Sequence, residues 1–212
     1  MEDYRNINRT AYNMLAEEYR LRVSEDRDKD KLLLKPFFDY LKQNFVEPIR
    51  VLDFGCGNGL NLNMFVENNF ISVGVDISEA MTAIAREVSP KSIILTQDFL
   101  NCSFETETFE GVLSKASIHL FKKEDAIFAL DKIFSLLVPN GMLFIATTAS
   151  DNSNEGLYHK RDYKTKSMRF RKFWRPEELE EVILQVGFKI HEKFRNYETD
   201  RNKNWFNILA IK

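Results

Sequence analysis

A doubly wound α/β fold, with a largely parallel sheet and helices on both faces, is what this sequence predicts. Three observations predict it. Short apolar runs ending in glycine or aspartate alternate with helical stretches, the order that builds parallel strand–helix–strand units. The first central run, Ile49 to Phe54, leads directly into three alternating glycines, Gly55, Gly57 and Gly59. A chain of 212 residues, 44% hydrophobic and 29% charged, suits one globular domain with a substantial core.

The elements read in order. Residues 5 to 22 carry Tyr12, Leu15, Ala16 and Tyr19 at helical spacing and predict an amphipathic helix. The stretch Ser24 to Lys31, rich in charges of both signs, reads as a solvated, mobile hinge. Strands are expected at 49–54, 71–76, 92–96, 109–114 and 141–148, with helices near 60–68, 78–88 and 123–137. Ser78 reads as the N-cap of the helix that follows it. A further helix starts at Pro176 after Arg175 and ends at Gly187, which suits a left-handed C-cap. Apolar strands at 188–194 and 205–211 close the chain, joined by the polar stretch Asn196 to Asn204. An insertion, 149–175, separates the fifth strand from that last helix. The organisation is a single domain: an N-terminal helical cap (1–45), a central core (46–148), and an insertion with terminal strands (149–212).

The glycine loop carries the chemistry. A strand ending in glycines lets a ligand approach bare backbone, because glycine has no Cβ and tolerates φ > 0. The helix beyond it offers unpaired N–H groups and the positive end of its dipole. A dinucleotide is disfavoured by the spacing. In the pyrophosphate fingerprint the third glycine falls five residues after the first, which here is Leu60, and Gly59 comes one position early. Asp53 would repel a pyrophosphate but suits a ligand bearing an ammonium. Adenosine with a cationic amino-acid tail, S-adenosylmethionine, fits that loop.

Val-Leu-Asp-Phe-Gly-Cys-Gly-Asn-Gly, residues 51–59, resembles the first motif of class I S-adenosylmethionine-dependent methyltransferases. Further landmarks follow in that family's order. Val73 to Ser78 resembles a second strand ending in an acid, at the distance of about 20 residues expected of a ribose-binding carboxylate. Gln97-Asp98-Phe99 matches the pair that flanks the adenine. Phe109 to Ser114 and Ser117-Ile118-His119-Leu120 match the fourth strand and its loop, and Leu136 to Gly141 the turn before the fifth strand. The resemblance spans roughly residues 10 to 212. It implies a Rossmann-like seven-stranded sheet, mostly parallel, whose last strand inserts antiparallel.

The resemblance also implies site roles. Gly55, Gly57 and Gly59 would form the backbone cradle, with Asp53 near the amino-acid tail. Asp76 would accept the ribose hydroxyls with Ile77 against the adenine. Asp98 would accept from the adenine amino group with Phe99 on its ring. Ala116 and Tyr19 would complete the cofactor site, and S-adenosyl-L-homocysteine would be the product. His119 is the candidate catalytic base beside the transferred methyl, weighed against a role in structuring its loop. Lys115 is either a substrate contact or a surface residue, and Cys56 packs under the loop. No metal is assigned.

The acceptor is read from the insertion. Between Lys160 and Arg175 it holds eight lysines and arginines against one acid, Asp162, interleaved with Tyr158, Tyr163, Phe170, Phe173 and Trp174. Tyr12, His119, Arg169, Arg171 and Trp174 are the candidate substrate contacts. An arginine fork suits a carboxylate or phosphate. Basic groups interleaved with aromatics also suit RNA, and a solvated charged loop is the bland alternative. The net charge of −2 gives no global attraction to nucleic acid. The favoured expectation is a methyltransferase acting on a small anionic or aromatic molecule. Transfer to tRNA is one alternative, since a wobble-uridine methyltransferase family shares the Gly-Cys-Gly-Asn-Gly and Ile-His signatures. A non-catalytic cofactor-binding module is the other. No Asn/Asp-Pro-Pro-aromatic motif follows the fourth strand, which disfavours a DNA amino-methyltransferase. With no apolar run of membrane-spanning length and no apolar leader at the N-terminus, a cytoplasmic monomer or homodimer is expected.

Overall fold

The computed structural model describes residues 3–21, 23–160 and 163–212. Three helices come first: α1 (Tyr4–Arg20), α2 (Val23–Leu33) and α3 (Lys35–Asn44). The core then alternates β1 (Arg50–Phe54), α4 (Leu60–Glu67), β2 (Ile71–Asp76), α5 (Glu79–Val88), β3 (Ile93–Thr96), β4 (Phe109–Lys115), α6 (Lys123–Leu136) and β5 (Leu137–Thr148). A hairpin of β6 (Asn154–Lys160) and β7 (Ser167–Phe173) precedes α7 (Pro176–Val186), β8 (Lys189–Glu198) and β9 (Lys203–Ile211).

The main sheet has seven strands in the order β3-β2-β1-β4-β5-β9-β8, and the hairpin forms a separate two-stranded sheet. Neighbours from β3 through β5 pair parallel, while β9 runs antiparallel between β5 and β8. This is the expected doubly wound sheet. The chain leaves β1 for β2 and β3, then returns to the other side of β1 with β4. A crevice opens where the direction of winding reverses, at the C-terminal ends of β1 and β4, and ligands bind at such points.

Alternation along the central strands fills both faces. Leu52, Val112, Leu143 and Ile145 join the core beneath α6 and α7, which contribute Leu130, Ile133, Leu179 and Ile183. Val51, Leu113, Met142 and Phe144 face the other way, onto Phe37, Phe38 and Leu41 of α3 and Leu62 and Phe65 of α4. On that second face the same period of two leaves Asp53 and Lys115, polar residues at otherwise apolar positions.

Three differences from the sequence reading have physical causes. The supposed hinge 24–31 lies within helix α2. Its charges obscure any apolar stripe, and tertiary contacts hold it, among them the buried Asp30. The insertion is no solvated loop: β6 and β7 pair over seven positions, setting Tyr158 opposite Arg169 and Gly156 opposite Arg171. Strand β5 starts at Leu137, four residues early, because Leu137 already pairs with Phe109 before an irregularity restores register at Met142. Elsewhere Ser78 caps α5 as expected, its Oγ accepting from the Met81 N–H at 3.1 Å. Gly187 ends α7 at φ +114.

Candidate active site

The glycine loop turns at the end of β1 in left-handed backbone, with φ of +80, +52 and +80 at Gly55, Gly57 and Gly59. Two of the three are also sterically forced. A Cβ on Gly55 would lie 2.6 Å from that of Ser117, and one on Gly59 would lie 2.7 Å from the Ala85 Cα. Gly57 differs: among the described residues nothing stands within 4 Å of a Cβ placed there. That open space is the floor of a cleft whose empty volume, mouth included, is about 1440 Å³.

Carboxylates define one end of it. Asp76 Oδ2 accepts from the Gly57 N–H at 2.9 Å and Oδ1 from the Ser78 N–H at 2.9 Å, which fixes the loop against β2. Burial pushes the Asp76 carboxyl upward, and the hydrogen bonds from Ser78 and Gly57 oppose it. Asp98 Oδ1 accepts from the Leu100 N–H, and Oδ2 pairs with Arg5 Nη1 of α1 at 2.9 Å. Phe99 lies against Phe54, with ring centroids 4.3 Å apart. Asp53 is fully buried, and among the described residues neither of its oxygens meets a hydrogen-bond partner. Burial raises its carboxyl to about 7, while the nearby Lys115 charge pulls the other way.

Cations and aromatics define the other end. The hairpin supplies Lys160, Arg169 and Arg171, and the β8–β9 turn supplies Arg201 and Lys203. Arg169 hydrogen-bonds the Tyr12 hydroxyl and Arg171 the Thr148 hydroxyl. Tyr19 stacks on Tyr163 at 4.8 Å, and the Lys160 ammonium stands over Tyr163 at 4.5 Å. His119 is buried among these groups, its Nδ1 3.0 Å from Thr147 Oγ1. Burial, then Arg171, Arg169, Lys160 and Lys203, hold its basicity well below the ordinary range.

Tyr12, Tyr19, Gly55, Gly57, Asp76, Ile77, Asp98, Phe99, Ala116, His119, Arg169 and Arg171 therefore share one cleft wall. Asp53 and Gly59 lie behind that wall. Trp174 is a correction: it is 1% exposed, packed in the core beneath α7, with the Lys172 ammonium 4.7 Å from its ring. An aromatic at the foot of a basic segment reads as a ligand contact in sequence, and here it anchors the hairpin.

The family profile described as "Methyltransferase domain" matches residues 23–193. The chain belongs to the class I S-adenosylmethionine-dependent methyltransferase family. An uncharacterized methyltransferase of Oceanobacillus iheyensis is 28% identical over 99 residues, 47% of this chain and 46% of that protein. The Saccharomyces cerevisiae tRNA (carboxymethyluridine(34)-5-O)-methyltransferase is 30% identical over 111 residues, 51% of this chain and 39% of that protein. The chain thus spans less than half the length of either curated relative. In fold it is similar to 1,6-didemethyltoxoflavin-N1-methyltransferase of Burkholderia thailandensis, solved with bound 1,6-didemethyltoxoflavin and S-adenosylhomocysteine. That likeness has TM-score 0.67 at 20% identity and covers 94% of this chain and 87% of that one.

The methyltransferase cofactor fits the residues present. Gly57 leaves open space at the loop, and beneath it lies Asp53, an acid whose oxygens meet no hydrogen-bond partner among the described residues. Several residues on the wall were not singled out from sequence: Arg5, Asp30, Tyr163, Arg201, Lys203 and Trp205. Arg201 and Lys203 lie in what reads as a polar connector, and only the extension of β8 and β9 brings them over the crevice. Among the described residues no helix is long and apolar enough to cross a membrane.

Proposed function

We propose that this chain transfers the methyl of S-adenosylmethionine to a small anionic acceptor held on the cationic wall opposite the glycine loop. When bound, the cofactor supplies an electrophilic methyl on a sulfonium. The chain's residues bind and orient. Gly55, Gly57 and Gly59 cradle the cofactor by backbone, Asp76 takes the ribose hydroxyls on the lone pairs left by Gly57 and Ser78, and Ile77 and Phe99 flank the adenine. Asp98, already engaged by Arg5, keeps lone pairs for the adenine amino group. Asp53, Lys115 and Asp30 set the charge at the amino-acid tail. Ala116, Tyr12 and Tyr19 close the space between the two ligands. Holding two reactants in line can lower a barrier by roughly 7 to 11 kcal/mol.

The single observation that carries the acceptor reading is the convergence of Lys160, Arg169, Arg171, Arg201 and Lys203 inside the cleft. Lys160 and Arg169 are only 6% and 7% exposed, a placement that suits an enclosed small anion rather than a nucleic-acid backbone lying across a surface. His119 serves this reading as a neutral orienting group, since burial first, and then the surrounding cations, disfavour its protonation.

A thermal-shift screen of metabolites with S-adenosylhomocysteine present tests the proposal, since a ligand raises apparent stability only by engaging the folded state. Stabilisation confined to anionic compounds, and lost in Arg169→Ala and Arg171→Ala, is expected. A shift given by RNA alone, with affinity falling steeply with salt, would favour the tRNA reading suggested by the yeast relative.

A further inference from the structure

We propose that the atom methylated is a carboxylate oxygen, so that the enzyme esterifies a small carboxylic acid with an apolar or aromatic body. The inference rests on the anionic-acceptor reading above and narrows it to a reaction class. Its starting point is what the acceptor half of the cleft lacks. A phenol, alcohol or ammonium acceptor must give up a proton before or during transfer, and a positioned base normally takes it. Among the described residues the candidate bases at that end are already engaged: the Tyr12 hydroxyl accepts from Arg169, and Glu198 is held by Arg201 at 3.2 Å and by the Trp205 indole at 2.9 Å. His119 is ringed by Arg169, Arg171, Lys160 and Lys203, and a proton placed on it would face all four. Tyr19 is stacked and buried, with its phenol pushed well upward by that burial. Asp30 is closed on Lys115, and Asp76 and Asp98 hold backbone and Arg5 donors at the cofactor end.

What the same region does contain suits an acceptor that arrives ionised. Arg169 and Arg171, which also donate to Tyr12 and Thr148, converge there with Lys160 and Lys203, while Arg201 pairs with Glu198 at their edge. A planar arginine fork matches a planar carboxylate. A fork uses two of the roughly four lone-pair sites of a carboxylate, leaving others to react. A carboxylate lone pair forms the O–CH3 bond as the S–CH3 bond breaks, and the bonding pair stays on sulfur. The sulfonium and the carboxylate both become neutral, and no proton moves. Tyr12, Tyr19, Tyr163 and Trp205 line this part of the cleft and give an apolar body somewhere to lie. The neutral ester has lost its attraction to the wall, which assists its departure.

The cations stabilise the full charge of the bound acid more than the partly neutralised transition state, so they act mainly on binding. Arg171→Gln should therefore raise KM for the acid by about tenfold and change kcat much less. With a carboxylate acceptor and S-adenosylmethionine kept saturating, so that titration of Asp53 does not limit cofactor binding, kcat/KM for the acid should be flat between about pH 6 and 9, where the acid stays ionised throughout.

The deciding experiment incubates the full chain with methyl-labelled S-adenosylmethionine and a deproteinised, RNA-free small-molecule extract. The product is then treated with mild alkali. Label released as methanol, together with calorimetric binding of the isolated acid in the presence of S-adenosylhomocysteine, is the expected result. Label that enters small molecules but survives alkali marks an ether, amine, thioether or methyl phosphate. That outcome overturns the carboxylate assignment and leaves the anionic-acceptor reading standing if the product's precursor is an anion. No incorporation from the extract overturns both.

Discussion

Lys115 and Asp30, 85 residues apart in the chain, close on each other with Nζ 2.5 Å from Oδ2. One ends β4 and the other belongs to α2, so the pair ties the N-terminal cap to the sheet beside Asp53. In the proposed function it also sets the charge at the cofactor's amino-acid tail. Lys115 is the main influence opposing the effect of burial on Asp53. Replacing it with methionine should leave Asp53 protonated at neutral pH and weaken S-adenosylhomocysteine binding about tenfold, roughly 1.4 kcal/mol. Methylthioadenosine, which lacks the amino-acid tail, should bind Lys115→Met and the parent chain alike. Equal losses for both ligands in calorimetry would mean that Lys115 supports the fold of the site rather than the tail.

The glycine loop separates a folding role from a binding role. Gly59→Ala drives a Cβ into the Ala85 backbone at 2.7 Å in left-handed geometry, and such overpacking costs typically 1 to 3 kcal/mol. Gly57→Ala meets open space and adds only the left-handed backbone penalty of about 1 to 2 kcal/mol. Thermal melts should show the larger loss for Gly59→Ala. Calorimetry should show the larger loss of cofactor affinity per degree of melting temperature for Gly57→Ala, whose methyl occupies ligand space. A reversed pattern would remove Gly57 from the cradle.

Asp53 gives the fold a pH dependence. Its carboxyl rises from 3.8 to about 7 on folding, chiefly through burial, with Lys115 opposing and Asp76 and Asp30 adding to the rise. Between those values the folded state holds a proton that the unfolded chain has released. The stability this contributes is complete below about pH 4 and is lost as pH climbs through about 7. Asp53→Asn has no such proton. Compared with the parent chain, the free Asp53→Asn protein should gain in relative melting temperature from pH 5 to pH 8, by about 2 °C or more for a domain of this size. Melting curves that stay parallel across that range would show that Asp53 keeps its ordinary acidity.

Legibility in the sequence followed the range of the interaction. The central strands, the glycine turn and the acids that end β2 and precede Phe99 are local patterns, and each appears in place. What escaped depends on distant partners. Helix α2 looks unstructured by composition because Asp30 needs Lys115 to be buried. Arg169, Lys172 and Ser167 are buried on a strand whose charges suggest solvent, because the hairpin folds over the cleft. Trp174 reads as a ligand contact and instead fills the core, since Ser150 donates to its carbonyl at 3.0 Å and draws the end of the hairpin under α7. Arg201 and Lys203 reach the site only because β8 and β9 run on into the polar connector.

Among the α1 side chains that meet the hairpin, Asn8 also reaches the turn that carries His119. Asn8 is buried, with Nδ2 donating to the Leu120 carbonyl at 2.9 Å and Oδ1 accepting from the Phe170 N–H at 2.7 Å. It therefore joins the N-terminal helix, the turn that carries His119 and strand β7, which carries Arg169 and Arg171. Asn8→Ala strands the buried Phe170 N–H, at about 1 to 3 kcal/mol for an unsatisfied group, and frees the part-buried Leu120 carbonyl. Hydrogen exchange should accelerate at the Phe170 amide and along β7, while amides of β1 and β2 keep their protection. Because the proposed cofactor contacts, Asp76 and the glycine loop, lie away from Asn8's partners, S-adenosylhomocysteine affinity should change by less than about threefold, below about 0.7 kcal/mol. Affinity for the anionic acceptor should fall further than that. If Phe170 exchanges at the parent rate in Asn8→Ala, the hairpin is held by its other contacts with α1, such as Tyr4 on Phe170 at 4.6 Å, and Asn8 does not anchor the wall.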